Sequence, residues 1–289
     1  MFGRPSDVAG YWRSKLDTCG DSFTSSRRLS SLQWAIKWYG MGKTSVQSVL
    51  NIPGRIGWLT MECPGFLTLM YIMNTLTKQE GIDDLPWQNK VQVIHYIYRA
   101  ILFPLMAPSM SPMHVLVWCM GVIFQLVNAT CLGSFLAAYG PRTAADWRTQ
   151  LAPWPTLQFV VGITVFYLGL TVNFICDDDL REIRRRAALK RDDNASDSNG
   201  GSGSAVQKLY LLPDTGLFRY MLYPHYFAEW VEWTGFYMAA GWGCVPARMF
   251  LLNEVAAMLP RAVSGKRWYI ERFGADRVGK RRAVIPGVL

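Results

Sequence analysis

The chain lacks the marks of several common functional classes. No Cys-x-x-Cys occurs among its six cysteines, and its three histidines (His95, His114, His225) form no His-Glu-x-x-His spacing, so no metal centre is expected. No Gly-x-Gly-x-x-Gly follows a strand-like run and no P-loop is present, which excludes the usual dinucleotide and nucleotide folds. The first thirty residues contain no apolar core of a signal peptide. Charge is sparse, at 18%, and there is no internal repeat. The basic excess of +9 comes without a helix-turn-helix pattern or finger spacing, so nucleic acid is not an expected partner.

What the chain has instead is apolar length. Of 289 residues 51% are hydrophobic, with 12 Trp, 13 Met and 13 Tyr, too many for an ordinary soluble domain. Runs long enough to cross a bilayer lie at about 58–77, 91–107, 113–139 and 155–176. A region at about 225–260 is long enough for a helical hairpin around "GWGCVP", whereas the patch at 31–41 is too short to span. Most cysteines fall inside these runs and read as small buried hydrophobes.

The basic residues cluster beside these runs. Loop 177–224 and tail 261–289 each carry eight Lys or Arg, so both are expected on the cytosolic side, with a hairpin between them. Loop 140–154 then faces the lumen. Residues 190–207, "KRDDNASDSNGGSGSAVQ", have the composition of a disordered cytosolic insertion.

Polar groups inside membrane helices are costly and so mark candidate functional positions. Asn173, Asp177, Arg181 and Arg184 recur on one helical face where the fourth run leaves the membrane. That array of amide, carboxylate and guanidinium groups suits a dinucleotide phosphate; an ordinary charged helix end is the alternative. His225, Glu229 and Glu232 form a second stripe in "YPHYFAEWVEWTGFY", with Pro224 suited to a first helical turn. Two carboxylates on one face of an aromatic helix point to a polar interior rather than to lipid. Glu62 lies a few residues into the first run, beside Pro64. Apolar surroundings disfavour a charged carboxyl, and a neutral one can donate a hydrogen bond to a carbonyl. Tyr96, in "HYIYR" with Arg99, is a second donor for the same oxygen, or an aromatic packing residue.

The stretches "MECPGF", "HYIYRAILFP", "GLTVNFICDDDLREIR", "YLLPDTGLFRYMLYPHYFAEWVEWTGF" and "RWYIERFGADRVGKRRAVIPGVL" together resemble the steroid 5α-reductase (3-oxo-5-alpha-steroid 4-dehydrogenase) family, in a fungal-like form. The resemblance covers much of the chain from about residue 42. It implies an all-α integral membrane protein of the endoplasmic reticulum. A bundle of six to seven transmembrane helices would hold a cytosol-facing NADPH cavity, without a Rossmann domain and with the C-terminus cytosolic. It implies NADPH-dependent reduction of a carbon–carbon double bond conjugated to a carbonyl, with a small lipophilic substrate such as a steroid. Glu62 and Tyr96 match the pair that binds the substrate ketone. Asn173, Asp177, Arg184, Tyr210, His225, Glu229 and Tyr269 match positions lining the cofactor site.

The chain also departs from that pattern. Met61 and His225 replace residues found in other members, and "PSMSP" at 108–112 lacks arginines that some members place there. Residues 1–41 form an atypical N-terminal region in which the family's first span is expected to be short or missing, ahead of a family-like membrane domain at 42–289. Two alternatives keep the same residues: a trans-2-enoyl-CoA or polyprenol-type reductase of the same fold, and a non-catalytic membrane protein that binds lipid.

Overall fold

A computed structural model of the chain describes residue 34 and residues 39–42, 47–79, 94–197 and 210–288, with side chains in the long helix described as far as residue 189. The expectations for residues 1–33, 35–38 and 198–207 lie outside these. Through residues 190–197 the backbone continues as helix.

A two-residue ribbon pairs β1 (Asn51–Ile52) antiparallel with β2 (Met113–His114). It pins the starts of two long helices, α1 (Gly54–Gln79) and α3 (Val115–Ser134), side by side. His114 also caps α3 by accepting from the Leu116 N–H at 3.3 Å. Between them runs α2 (Ile94–Met106), which widens into a π-turn at Ile97–Leu102. The end of α3 widens in the same way at Phe135–Tyr139. After the short α4 (Ala144–Gln150) comes the 43-residue α5 (Pro155–Asp197). At 1.5 Å per residue it extends roughly 65 Å, about twice a hydrocarbon core. A hairpin of α6 (Pro224–Ala240) and α7 (Val245–Phe273) follows, each begun by a proline in its first turn, then the single turn α8 (Ala275–Val278).

Three helices among the described residues are long and apolar enough to cross a membrane: α1, α3 extended to Tyr139, and α5 as far as Leu189. Their outer faces expose large apolar side chains, such as Leu67, Ile123 and Leu168, as lipid contact requires. The other helices do not qualify on length and composition. α2 and α6 are short, and α7 carries Arg248, Glu254 and Arg261 within its length.

Close packing of α5 on α6 holds the structure's centre. A Cβ at Gly169 would come within 2.3 Å of the Glu232 nitrogen, and one at Gly235 within 2.3 Å of the Phe166 nitrogen. Glycine is therefore what lets the two backbones touch. Phe166, Trp233 and Phe236 pack beside that contact with Leu136, Phe250 and Tyr98. A second core gathers Tyr223, Met258, Tyr269, Ala283 and Val284. It explains the "AVIP" tail: Leu222 and Tyr223 donate backbone bonds to Arg282 and Ala283 at 2.9 Å, which buries Ala283 and Val284.

Cys63, Cys119, Cys176 and Cys244 are free thiols, the last two buried. Cys131 is disulfide-bonded, so the reading of cysteines as inert apolar filler does not extend to it.

The loop ahead of α5 is anchored by a capping box. Thr143 accepts from the Asp146 N–H at 3.1 Å, and Asp146 accepts from the Thr143 N–H at 2.9 Å. The Thr143 backbone bond holds the Asp146 carboxyl below its ordinary pKa. Its contribution is present above the unfolded carboxylate pKa and is lost as pH falls through the lowered one. Thr143→Ala is expected to lower stability by about 1 kcal/mol without changing ligand binding, as read by thermal unfolding in detergent.

Candidate functional site

Most of the polar residues singled out by sequence converge on the inner faces of α1, α2, α5 and α6, around α3. Glu62 on α1 and Tyr96 on α2 are both buried, and both are held by α3. The Gln125 amide donates to Glu62 Oε2, and Asn128 Nδ2 donates to the Tyr96 hydroxyl at 3.1 Å. Arg99, His95 and Glu229 are the charges that act on Glu62, which joins this end of the site to the next.

There, α2, α5 and α6 meet around Arg99. Its guanidinium lies 3.4 Å from Glu229 Oε2 and 3.6 Å from Asp177 Oδ2. It also rests 5.1 Å over the Trp58 ring and 4.9 Å over the Phe103 ring. Asn173 Nδ2 donates to the His225 carbonyl at 3.2 Å and to Glu229 at 3.5 Å. His225 thus meets Asn173 through its backbone, while its ring packs on Tyr223, Tyr226 and Phe218. Tyr98 OH donates to Asp177 Oδ2 at 3.2 Å and accepts from Arg181 NH2 at 2.8 Å.

The stripe of two arginines therefore divides. Arg181 is spent inside the protein, on Tyr98 and Asp178. Arg184 makes none of the ion pairs found among the described residues; Asp177, Tyr269, Arg181 and Tyr210 act on it electrostatically. Tyr210 lies edge-on to Trp268 at 5.1 Å, and Tyr269 is buried beside the same ring at 5.3 Å. Arg184, Tyr210 and Tyr269 so form the end of the band where α5 leaves its apolar stretch.

Glu232 faces inward as well, fully buried, with Oε1 2.6 Å from His95 Nδ1. The second stripe thus faces protein and not lipid. Removing one member of so buried a pair strands the other, at a cost of about 3–5 kcal/mol.

Sequence reasoning missed Tyr98, Gln125 and Asn128, and treated Arg99 and Glu232 only as neighbours of other candidates. Glu254 was missed too; Glu229, Glu62, Arg99 and Arg261 act on it from across the site. A signal existed for Gln125 and Asn128, since both are amides within an apolar run. Their partners are 63 and 32 residues away, and no local pattern identifies them.

Several buried acceptors are left without a partner among the described residues, including Asn173 Oδ1, Glu232 Oε2 and Asn253 Oδ1. Native proteins seldom leave such atoms unpaired unless a ligand or water serves them. Asn173 Oδ1 fits the amide donor of a carboxamide ring, and Arg184, without an ion pair among the described residues, fits a phosphate. The residues present thus suit a nicotinamide dinucleotide. Among the described residues, no group of three or more His, Cys, Asp or Glu could hold a metal ion.

A family model described as 3-oxo-5-alpha-steroid 4-dehydrogenase matches residues 111–193 and 203–289. An uncharacterized protein of Schizosaccharomyces pombe is 33% identical over 264 residues, covering 85% of this chain and 89% of its own. A steroid 5-alpha-reductase of Solanum lycopersicum is 29% identical over 254 residues, covering 86% of each. A 3-oxo-5-alpha-steroid 4-dehydrogenase 1 of Rattus norvegicus is 27% identical over 244 residues, covering 83% of this chain and 82% of its own.

Proposed function

The chain belongs to the 3-oxo-5-alpha-steroid 4-dehydrogenase family of oxidoreductases, and from that premise we propose that it is an NADPH-dependent reductase of the Δ4 double bond of 3-oxo-steroids. The observation that carries this reading is the pairing of Glu62 and Tyr96, two buried donors tied to one helix beside the Arg99 cluster. The names of the tomato and rat relatives support the steroid class.

NADPH, when bound, supplies the hydride for the β-carbon of the enone. Asn173 and Glu229 would orient the nicotinamide end, Asp177 and the carbonyl side of His225 the adjoining part, and Arg184, Tyr210 and Tyr269 the phosphate end. Charge develops on the substrate carbonyl oxygen as the double bond is reduced. The Tyr96 hydroxyl and Glu62 in its acid form would donate to that oxygen, a stabilisation that is strongest in a dry site. Both groups are already buried, so little solvent has to be displaced from them. A proton then reaches the α-carbon, completing addition of two hydrogens across the double bond.

The reading extends to a bundle of six to seven spans, with α6 and α7 completing the membrane part. It includes a cytosol-facing cofactor cavity, a cytosolic C-terminus and residence in the endoplasmic reticulum membrane. That orientation would explain the eight basic residues in each of segments 177–224 and 261–289.

Cofactor titration tests the cofactor assignment separately from turnover. Asp177→Leu removes a carboxylate shared by Arg99 and Tyr98, and is expected to weaken NADPH binding roughly 30-fold or more, since a lost charge-assisted hydrogen bond costs about 2 kcal/mol or more. Unchanged affinity, measured by quenching of the 12 tryptophans, would remove Asp177 from the site.

A further inference from the structure

Gln125 and Asn128 stand on the same face of α3, three residues apart, and hold the two groups on which the proposed reaction turns. We propose that they are positioning residues that fix the direction of the two donors, Gln125 through Glu62 and Asn128 through Tyr96. The proposal rests on the reading of Glu62 and Tyr96 as the pair that binds the ketone.

The geometry works by exclusion. A phenol has one hydrogen to donate. Asn128 Nδ2 donates to the Tyr96 oxygen at 3.1 Å, so the phenolic hydrogen must point away from α3. Glu62 is treated alike: the Gln125 amide occupies Oε2, which leaves the acid proton to the other oxygen. Two amides on one helix thus turn both O–H bonds away from that helix. Reversing either amide would place an acceptor against the donor and draw its hydrogen back toward α3.

Two further observations support a dedicated arrangement. Asn128 is wholly buried, and its Oδ1, like Gln125 Oε1, has no partner among the described residues. Amides that served only to join helices would be expected to satisfy both ends. The facing helix also makes room for Gln125: a Cβ at Gly65 would come within 2.9 Å of Gln125 Cβ and 3.1 Å of its Oε1.

The test is a pair of double-mutant cycles on the full chain in detergent, with testosterone and saturating NADPH. Gln125→Met is made alone and with Glu62→Gln; Asn128→Leu is made alone and with Tyr96→Phe. Each single variant is expected to lower kcat about tenfold, the worth of one hydrogen bond, with KM and the NADPH Kd within about threefold. In the background that already lacks the partner group, the further loss should be under about threefold, because the two residues act as one unit. Equal losses in both backgrounds would overturn the proposal, since the amide would then act on packing alone. Should Asn128→Leu fail to bind NADPH, Asn128→Ala decides. It removes the amide donor without adding volume, and full activity in it would overturn the role of Asn128. If the unmodified chain reduces no 4-ene-3-oxo steroid while binding NADPH, the ketone reading fails first, before any variant is made, and the proposal falls with it.

Discussion

Glu62→Gln is expected to lower kcat by roughly a hundredfold or more, the usual cost of removing a donor to a developing oxyanion, while NADPH binding stays within about twofold. The substitution preserves side-chain volume and leaves Gln125 an oxygen to donate to. What it removes is an acid O–H, a stronger donor than an amide N–H and one that can yield its proton. Tyr96→Phe should produce a smaller fall, because Glu62 would still serve the oxygen. The two residues sit on different helices, so the pair is assembled only by the packing of α1 and α2 on α3. A variant that lost both turnover and NADPH affinity would mean that Glu62 holds the fold together and is not a donor to substrate.

Gly169→Leu has the largest effect expected on the structure itself. Even a single Cβ there would sit 2.3 Å from the Glu232 nitrogen and 2.6 Å from its Cα, both backbone atoms that cannot rotate aside. The remaining three carbons would force α5 and α6 apart. The loss should exceed the ~1–3 kcal/mol typical of overpacking a core. Asn173 lies on the next turn of α5, so its bonds to His225 and Glu229 would fail with the helix contact. The measurement is the thermal midpoint in detergent alongside NADPH titration. Both should collapse, whereas Leu168→Ala, on the outer face with its side chain 59% exposed, should leave both unchanged. Retention of NADPH affinity in Gly169→Leu would mean that the cofactor does not bridge these helices.

Much of this architecture was legible in the sequence, for definite reasons. Apolar runs at 58–77, 113–139 and 155–176 correspond to α1, α3 and the first half of α5, because burial in lipid demands unbroken apolar length. The hairpin around "GWGCVP" is present, turning at residues 241–244 between α6 and α7. Helical spacing correctly grouped Asn173 with Asp177, and Glu229 with Glu232, on inward faces. What periodicity cannot supply is the partner across the interface. The His95–Glu232 pair spans 137 residues, and Tyr98–Asp177 spans 79. Nor does charge alone tell a working arginine from a structural one. Arg181 and Arg184 look alike in "REIRRR", but only Arg181 turns back onto Tyr98. The π-turns at Ile97–Leu102 and Phe135–Tyr139 left no pattern in the sequence either. The first of them carries Tyr98 and Arg99 to the cluster on α5 and α6.

The measurement that tests the central claim most directly is turnover of testosterone by membranes containing the unmodified chain and NADPH, with product identified by chromatography. The account predicts a dihydro product that has gained two hydrogens across the Δ4 bond, depends on NADPH, and nearly vanishes in Glu62→Gln. NADPH binding without any steroid product, together with reduction of an enoyl-CoA or a polyprenol, would contradict it.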